Sequence, residues 1–272
     1  MTADIDATVD PSLDAELAFA LALAGRAGEI LMDRYERLER IDHKSARDIV
    51  TEADHLSEEL IIAAIRERFP DDAILAEESG SHAAASGGAG GRTWVIDPLD
   101  GTVNYANGLP HFCVSIGLVL GERPVVGVVH DPSREETFAA TVVGPATLNG
   151  RPIHASPKDK LSDYLISLAL SGRSVVTRAR ALRKEIRVSR SMGSAALGLA
   201  YVANGRFDAF VQETSLSPWD VAAAGVIAER AGAVLTAFDG SSWYDPAKPP
   251  RAAGIVAAPP AFHGRIRALA RG

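Results

Sequence analysis

The run Trp94 to Tyr105, W-V-I-D-P-L-D-G-T-V-N-Y, constrains this chain more than any other stretch. Its three apolar residues, Trp94 to Ile96, read as a buried strand. Two aspartates, Asp97 and Asp100, follow around Pro98, with Gly101 and Thr102 directly after them. Carboxylates that leave one strand end together repel and raise each other's pKa, so such a cluster suits a place where cations sit between them. Asp-Pro and Asp-Gly equally well stop a strand in an acidic turn, and the stretch alone leaves both readings open.

At 272 residues and 47% hydrophobic content, the chain can build one large α/β domain or two small ones around a sizeable core. A formal charge of -7 argues against a general nucleic-acid binder, since no basic block is long enough to track a phosphate backbone. The one basic run, Arg173 to Arg190, is interleaved with apolar residues and reads as a solvated helix face. Cys113 is the single cysteine, which excludes an intrachain disulfide, and its place in C-V-S-I-G-L-V-L favours a buried inert thiol. The N-terminus is acidic where a signal peptide would be basic, and no apolar stretch reaches the length of a membrane span. A cytoplasmic protein with no membrane partner is expected.

Taken in order, residues 1 to about 11 read as a frayed tail. Ser12 is placed to cap a helix with Leu17, Leu21, Ala24, Gly28 and Leu31 on one stripe. In K-S-A-R-D-I-V-T-E-A-D, Lys44 to Asp54, Ile49 and Val50 suggest an extended piece, and Thr51 with Asp54 forms a capping box for a second helix. That helix is expected to bury Leu56, Leu60, Ala64 and Ile65. Asp54 reads here as a cap partner, worth about 1 kcal/mol. A strand over Ala73 to Ala76 delivers Glu77 and Glu78, and the Gly/Ala/Ser-rich residues 79 to 91 predict a mobile loop, either lid or slack.

Residues 112 to 143 predict three strands turning at Gly121-Glu122-Arg123 and Asp131-Pro132-Ser133, with a further hairpin at Asn149-Gly150. A second sub-domain is expected from about residue 150, opening with a strand over Leu165 to Leu170 and a basic helix. From Arg190 a small-residue turn precedes a helix carrying Ala196, Leu199, Ala200 and Ala203 inward. Gly193, Ser194 and Ala195 either present backbone amides to a ligand or simply cap that helix. The next strand runs into Gln212 and Glu213, and Asp220 lies in the first turn of a helix with Ala223, Ala224, Ile227, Ala228 and Ala231 inward. A carboxylate there is favoured by the helix dipole in any case. A strand near Ile255 and a helix after Pro260 close the chain.

Glu77, Asp97, Asp100 and Asp220 thus each stand at a strand end or helix start, where open α/β sheets place ligands. Oxygen-only donors suit magnesium, whereas zinc would want histidine or cysteine at ligand spacing, and none of the seven histidines shows such a pattern. No nucleotide-binding glycine loop or serine-hydrolase motif is present. Carboxylate-bound magnesium beside Gly101 and Thr102 suits phosphate ester hydrolysis, with backbone amides after Asp100 holding the phosphate.

D-P-L-D-G-T-V-N-Y and W-D-V-A-A-A-G, together with D-I-V-T-E-A-D and A-E-E-S, resemble the signatures of the magnesium-dependent, lithium-sensitive inositol monophosphatase family. L-P-H-F-x-V-S-I and G-S-A-A-L-x-L-A-Y-V-A-x-G-R-x-D further resemble its bacterial branch. The resemblance covers roughly Leu17 to Ala257. It implies a layered α-β-α-β-α sandwich, usually a homodimer, with one catalytic domain over residues 12–271. Residues 12–150 would bear the metal and phosphate side, and residues 151–271 the substrate alcohol side.

By the same resemblance, Glu77, Asp97 and the carbonyl of Leu99 hold a first magnesium ion. Asp97, Asp100 and Asp220 hold a second, and a third, weaker ion lies near Glu77. Thr102 and Glu77 orient the attacking water, Asp54 supports Thr102, and the Gly101 and Thr102 amides bind phosphate. Gly193, Ser194, Ala195, Glu213 and Arg190 contact the alcohol, and Lys44 offsets the cluster's charge. The implied activity is hydrolysis of inositol monophosphate or a similar polyol phosphate. Histidinol phosphate, fructose 1,6-bisphosphate and nucleotide 3'-phosphates are the alternative substrates, and a non-catalytic interaction subunit is the alternative of another class. The chain departs from the family at Ala76, Arg230 and Ala233, and in a shortened segment from Ser171 to Arg187.

Overall fold

The computed structural model describes residues 13–38, 41–45, 48–85, 91–248 and 251–272, and of residues 43–45 and 48 it describes the backbone only. Ser12, the Lys44 side chain and part of the 79–91 loop lie outside the described residues. The first half of the chain runs α1 (Asp14–Arg34), β1 (Ile41–Ser45), β2 (Asp48–Thr51), α2 (Glu52–Arg68), β3 (Ala73–Ala76), β4 (Gly80–His82), β5 (Arg92–Asp100) and α3 (Thr102–Ala106). The meander follows as β6 (Cys113–Leu120), β7 (Arg123–Asp131), β8 (Glu136–Thr141), β9 (Thr147–Leu148) and β10 (Arg151–Pro152). Then come β11 (Leu165–Ala169), α4 (Val175–Glu185), β12 (Val188–Arg190), α5 (Ala195–Ala203), β13 (Ala209–Leu216), α6 (Pro218–Arg230), β14 (Val234–Ala237), β15 (Ala253–Ala258) and α7 (Pro260–Arg271).

The strands form an eight-stranded sheet, ordered β10-β9-β8-β7-β6-β5-β3-β4, and a five-stranded sheet, ordered β12-β11-β13-β15-β14. In the larger sheet β3 and β5 are parallel, so the ends that carry Glu77 and Asp97 point the same way. Period-two burial assigns the faces. On β7, His130 meets Gly28 of α1, while Gly127 meets Ala223 of α6, so α1 and α6 cover opposite faces. The smaller sheet sorts likewise: Phe210, Ile255 and Ala257 join the main core, whereas Val211 and Val256 join a second core closed by Leu182 of α4 and Ile266 of α7. The layers are therefore α1/α2, large sheet, α5/α6, small sheet, α4/α7, which is the α-β-α-β-α sandwich.

Being sandwiched between sheets, α6 is buried from Val221 to Ala228, not along one stripe as its sequence predicted. Small residues permit that position: a Cβ on Gly127 would stand 2.2 Å from the carbonyl oxygen of Ala223. Leu21 and Leu56 are 37% and 38% exposed, against expectation, because α1 buries Ala20, Leu23 and Ala27 and α2 buries Ala53, Ser57 and Ile61. The strand read as Trp94 to Ile96 extends over Arg92–Asp100, and β4 occupies part of the predicted mobile loop. The three-stranded meander and the Asn149-Gly150 hairpin stand where the sequence put them. Among the described residues no helix is long and apolar enough to cross a membrane.

The α6 contact sets a measurable limit. Gly127→Ala should lower the unfolding free energy in urea by about 2 kcal/mol or more, since a backbone carbonyl cannot step aside for the added methyl. A loss below about 0.5 kcal/mol would mean that the helix and sheet are further apart than described.

Candidate metal and phosphate site

Capping chemistry positions most of the acidic groups. Asp54 completes the capping box of α2: the Thr51 N–H and hydroxyl both donate to its Oδ2, at 2.7 and 2.6 Å. Its Oδ1 accepts a 3.1 Å hydrogen bond from Thr102 Oγ1. The two readings of Asp54, cap partner and support for Thr102, therefore hold at once, one on each oxygen. Burial pushes the carboxyl up to about 6, opposed by the Thr51 hydrogen bonds.

Asp97 and Asp100 end β5, where pairing to β6 slips between them, from Asp97 opposite Ser115 to Asp100 opposite Cys113. Leu99 N–H turns back to Asp97 Oδ1 at 3.0 Å. Asp100 Oδ2 takes Ser194 Oγ at 2.5 Å and Ala196 N–H at 2.7 Å, so it sits on the N-terminus of α5, a place that favours negative charge. Asp220 repeats the Asp54 device: it completes the α6 capping box by accepting Ser217 N–H on Oδ2 at 2.6 Å.

Asp97, Asp100 and Asp220 each offer an oxygen, and these atoms all lie within 4.8 Å of one another. Burial raises all three carboxyls, and mutual repulsion adds to it. The charge of Glu77, on the turn after β3, raises each of them too. Three carboxylates near one another fit a hard divalent cation, and they fit it with oxygen donors only. The residues present are thus chemically suited to magnesium.

The rest of the neighbourhood is tied to this cluster. Gly101 is left-handed (φ 95°), and a Cβ there would meet the His111 carbonyl at 3.0 Å, so glycine is required where the chain leaves the strand for α3. Thr102 Oγ1 also lies 3.0 Å from the Leu99 carbonyl. Asn104 Nδ2 donates to the carbonyls of His111 and Met192, both at 2.8 Å, and so fixes the Gly193 turn against α3. A pocket beside the cluster is lined by Asp100, Gly193, Ser194, Ala195, Gln212 and Asp220, among others.

Two candidates stand elsewhere. Glu213 is absent from the pocket wall; its carboxylate is gripped by both Nη atoms of Arg178, at 2.7 and 2.9 Å. Arg190 ends β12 exposed, its guanidinium on the Ser189 carbonyl at 3.0 Å, also outside the wall. Sequence reading overlooked Glu58, whose buried carboxylate accepts the Glu78 and Ser79 N–H groups at 2.9 Å each and so holds the turn that carries Glu77. The available signal was its position four residues after Asp54, on the same face of α2. Cys113 is buried as expected, with Sγ 3.8 Å from Asp100 Oδ2.

The family model described as the inositol monophosphatase family matches residues 12–272. The chain belongs to the inositol monophosphatase family. Relatives include Nus factor SuhB of Pseudomonas aeruginosa, 40% identical over 83% of this chain and 86% of that protein, and inositol monophosphatase 1 of Solanum lycopersicum, 36% identical over 85% and 88%. Among solved structures, Thermotoga maritima IMPase superposes with a TM-score of 0.84 at 32% identity, covering 94% of this chain and 97% of that one. The extragenic suppressor protein suhB of Bartonella henselae gives 0.86 at 28%, covering 95% and 99%. This is a family of metal-dependent phosphatases, and the acidic cluster of this inositol monophosphatase family member lies where its β5 signature ends.

Repulsion within the cluster predicts the behaviour of the chelated protein. The folded-state pKa values are raised above the ordinary 3.8, so the cluster is harmless below about pH 4 and costs stability as pH rises through the folded values. In excess EDTA at pH 7, Asp97→Asn should therefore raise the melting temperature by about 2–4 °C. The gain should vanish near pH 3.5, where both proteins carry protonated carboxyls. A lower melting temperature for the variant in EDTA at pH 7 would contradict this electrostatic picture.

Proposed function

We propose that this chain is a magnesium-dependent phosphomonoesterase acting on inositol monophosphate or a similar small polyol phosphate. The observation that carries the reading is the juxtaposition of the three-carboxylate cluster with the Thr102–Asp54 hydrogen bond. Glu77, Asp97, Asp100, Asp220 and the Leu99 carbonyl would hold two to three magnesium ions, which supply positive charge for the phosphate oxygens and polarise the ester. The catalytic domain is taken as residues 12–271, with 12–150 on the metal and phosphate side and 151–271 on the alcohol side.

The protein's own groups then divide the work. Gly101 and Thr102 N–H groups donate to the phosphate, whose developing charge they stabilise. With its proton given to Asp54, the Thr102 oxygen accepts from the attacking water and, with Glu77, orients it. Asp54, raised to about 6, is ionised at neutral pH yet basic enough to draw a proton through Thr102 as the water oxygen bonds to phosphorus. The bond from phosphorus to the alcohol oxygen breaks, and that oxygen takes up a proton on leaving. Gly193, Ser194 and Ala195 border the space for the departing alcohol.

The Pseudomonas relative's description as a Nus factor supports a second reading, an interaction subunit without turnover. The full set of acidic groups and the Thr102–Asp54 pair favour catalysis. Phosphate release from inositol 1-phosphate should require magnesium, stop with EDTA, and fall at least about 10³-fold in Asp97→Asn and about 10²-fold in Thr102→Ala. No magnesium-dependent release from a broad panel of phosphate esters would overturn the phosphatase reading and favour the interaction role.

A further inference from the structure

A helix face packed against a sheet is ordinarily apolar, because a buried polar group costs free energy unless it is paired. On α2 that face carries Asp54, Ser57 and Glu58, spaced i, i+3 and i+4 and all buried. Each is paired, and each pairs with a different piece of the acidic site. Asp54 accepts from Thr102 Oγ1 at 3.1 Å, and Ser57 Oγ donates to the Pro98 carbonyl at 3.1 Å. Glu58 accepts from the Glu78 and Ser79 N–H groups at 2.9 Å each. One helix therefore touches the turn after β3 and the end of β5 at once.

These two places carry different carboxylates. Asp97 and Asp100 lie on β5 and belong with Asp220 to the close group of three. Glu77 comes from the turn Glu77 to Ser79, between Ala76 and Gly80, which pair across the β3–β4 hairpin. Its charge reaches Asp97, Asp100 and Asp220, yet it is half-buried and its hairpin forms the edge of the large sheet. Ladder pairing to β5 fixes the chain as far as Ala76, opposite Ile96. Beyond it, Glu58 takes the two N–H groups that follow Glu77, one on each carboxylate oxygen. Hydrogen bonds to an ionised acceptor are the stronger kind, so this is a directional clamp.

We propose that Glu58 is a positioning residue for a magnesium ion shared by Glu77 and Asp97. It sets the reach of Glu77 toward β5 and so the affinity of that ion, whereas the ion held by Asp97, Asp100 and Asp220 depends on β5 and α6. The proposal rests on the metal assignment made under the phosphatase reading above. Magnesium demands near-ideal octahedral geometry, so a carboxylate that drifts on its turn binds it less tightly, and partners that orient a ligand govern affinity without touching the ion.

The test is calorimetric titration of the chelated full chain with magnesium, beside the magnesium dependence of phosphate release from inositol 1-phosphate. Glu58→Gln offers one acceptor oxygen where two N–H groups point. It should weaken one class of magnesium site about tenfold and leave a second class within about twofold. The half-saturating magnesium for turnover should rise about tenfold, with kcat at saturation within about threefold. Ile61→Val, which thins the core under the same helix, should lower the melting temperature with both classes unchanged, separating a loosened α2 from a misplaced Glu77. If Glu58→Gln does not fold, Glu58→Asp, one methylene shorter with the same charge, should show the same loss. A folded variant whose magnesium sites match the native ones, however low its melting temperature, would overturn the proposal and leave Glu58 purely structural. Ion uptake is read without turnover, so a native protein that binds magnesium but hydrolyses no ester would remove the phosphatase reading while a tenfold loss in the variant upholds the proposal. A native protein that binds no magnesium would overturn both.

Discussion

Three carboxylates whose oxygens lie within 4.8 Å of one another, two of them buried and the third half-buried, set the terms for the rest of this protein. Ionised, they repel; protonated, they cannot serve a divalent cation. Removing them from water raises each pKa, and neighbouring charge raises it further. Such an arrangement costs folding free energy, so it persists only where the surrounding structure over-determines it. Here that support comes from both sheets: β5 brings Asp97 and Asp100, and the first turn of α6, entered from β13, brings Asp220.

The support is economical in its use of oxygens. Asp54, Asp100 and Asp220 each spend Oδ2 on a helix start, in capping boxes for α2 and α6 and on the α5 N-terminus. Each keeps its other oxygen out of the cap. The same bonds that begin three helices therefore orient three functional groups, and the helix amides offset part of the charge. Asn104 and Glu58 extend the principle to the backbone, one fixing the Gly193 turn and the other the Glu77 turn.

Much of this was legible in the sequence because it is local. The Thr51/Asp54 capping box, the β6–β7–β8 turns and the acidic strand end at Asp97 and Asp100 are all short-range patterns. The layered fold and the grouping of Asp220 with Asp97 were carried by the family resemblance, since no spacing rule links residues so far apart. What escaped depended on register or on burial from two sides. Glu213, expected on the substrate, pairs with Arg178 beside a bulge of three residues against Gly254, and no local pattern encodes that pairing. Leu21 and Leu56 were expected inside, but α1 turns Ala20 and α2 turns Ser57, each one position away, toward the core instead.

A cluster of buried, mutually repelling carboxyls that takes a cation must give up protons as the cation arrives. Calorimetric titration of the chelated protein with magnesium at pH 6, in two buffers of different ionisation enthalpy, tests that directly. Binding should release protons, because the cation draws the carboxyls back to their ionised form. Magnesium that binds with no proton release, or gives no saturable heat at millimolar concentration, would contradict it.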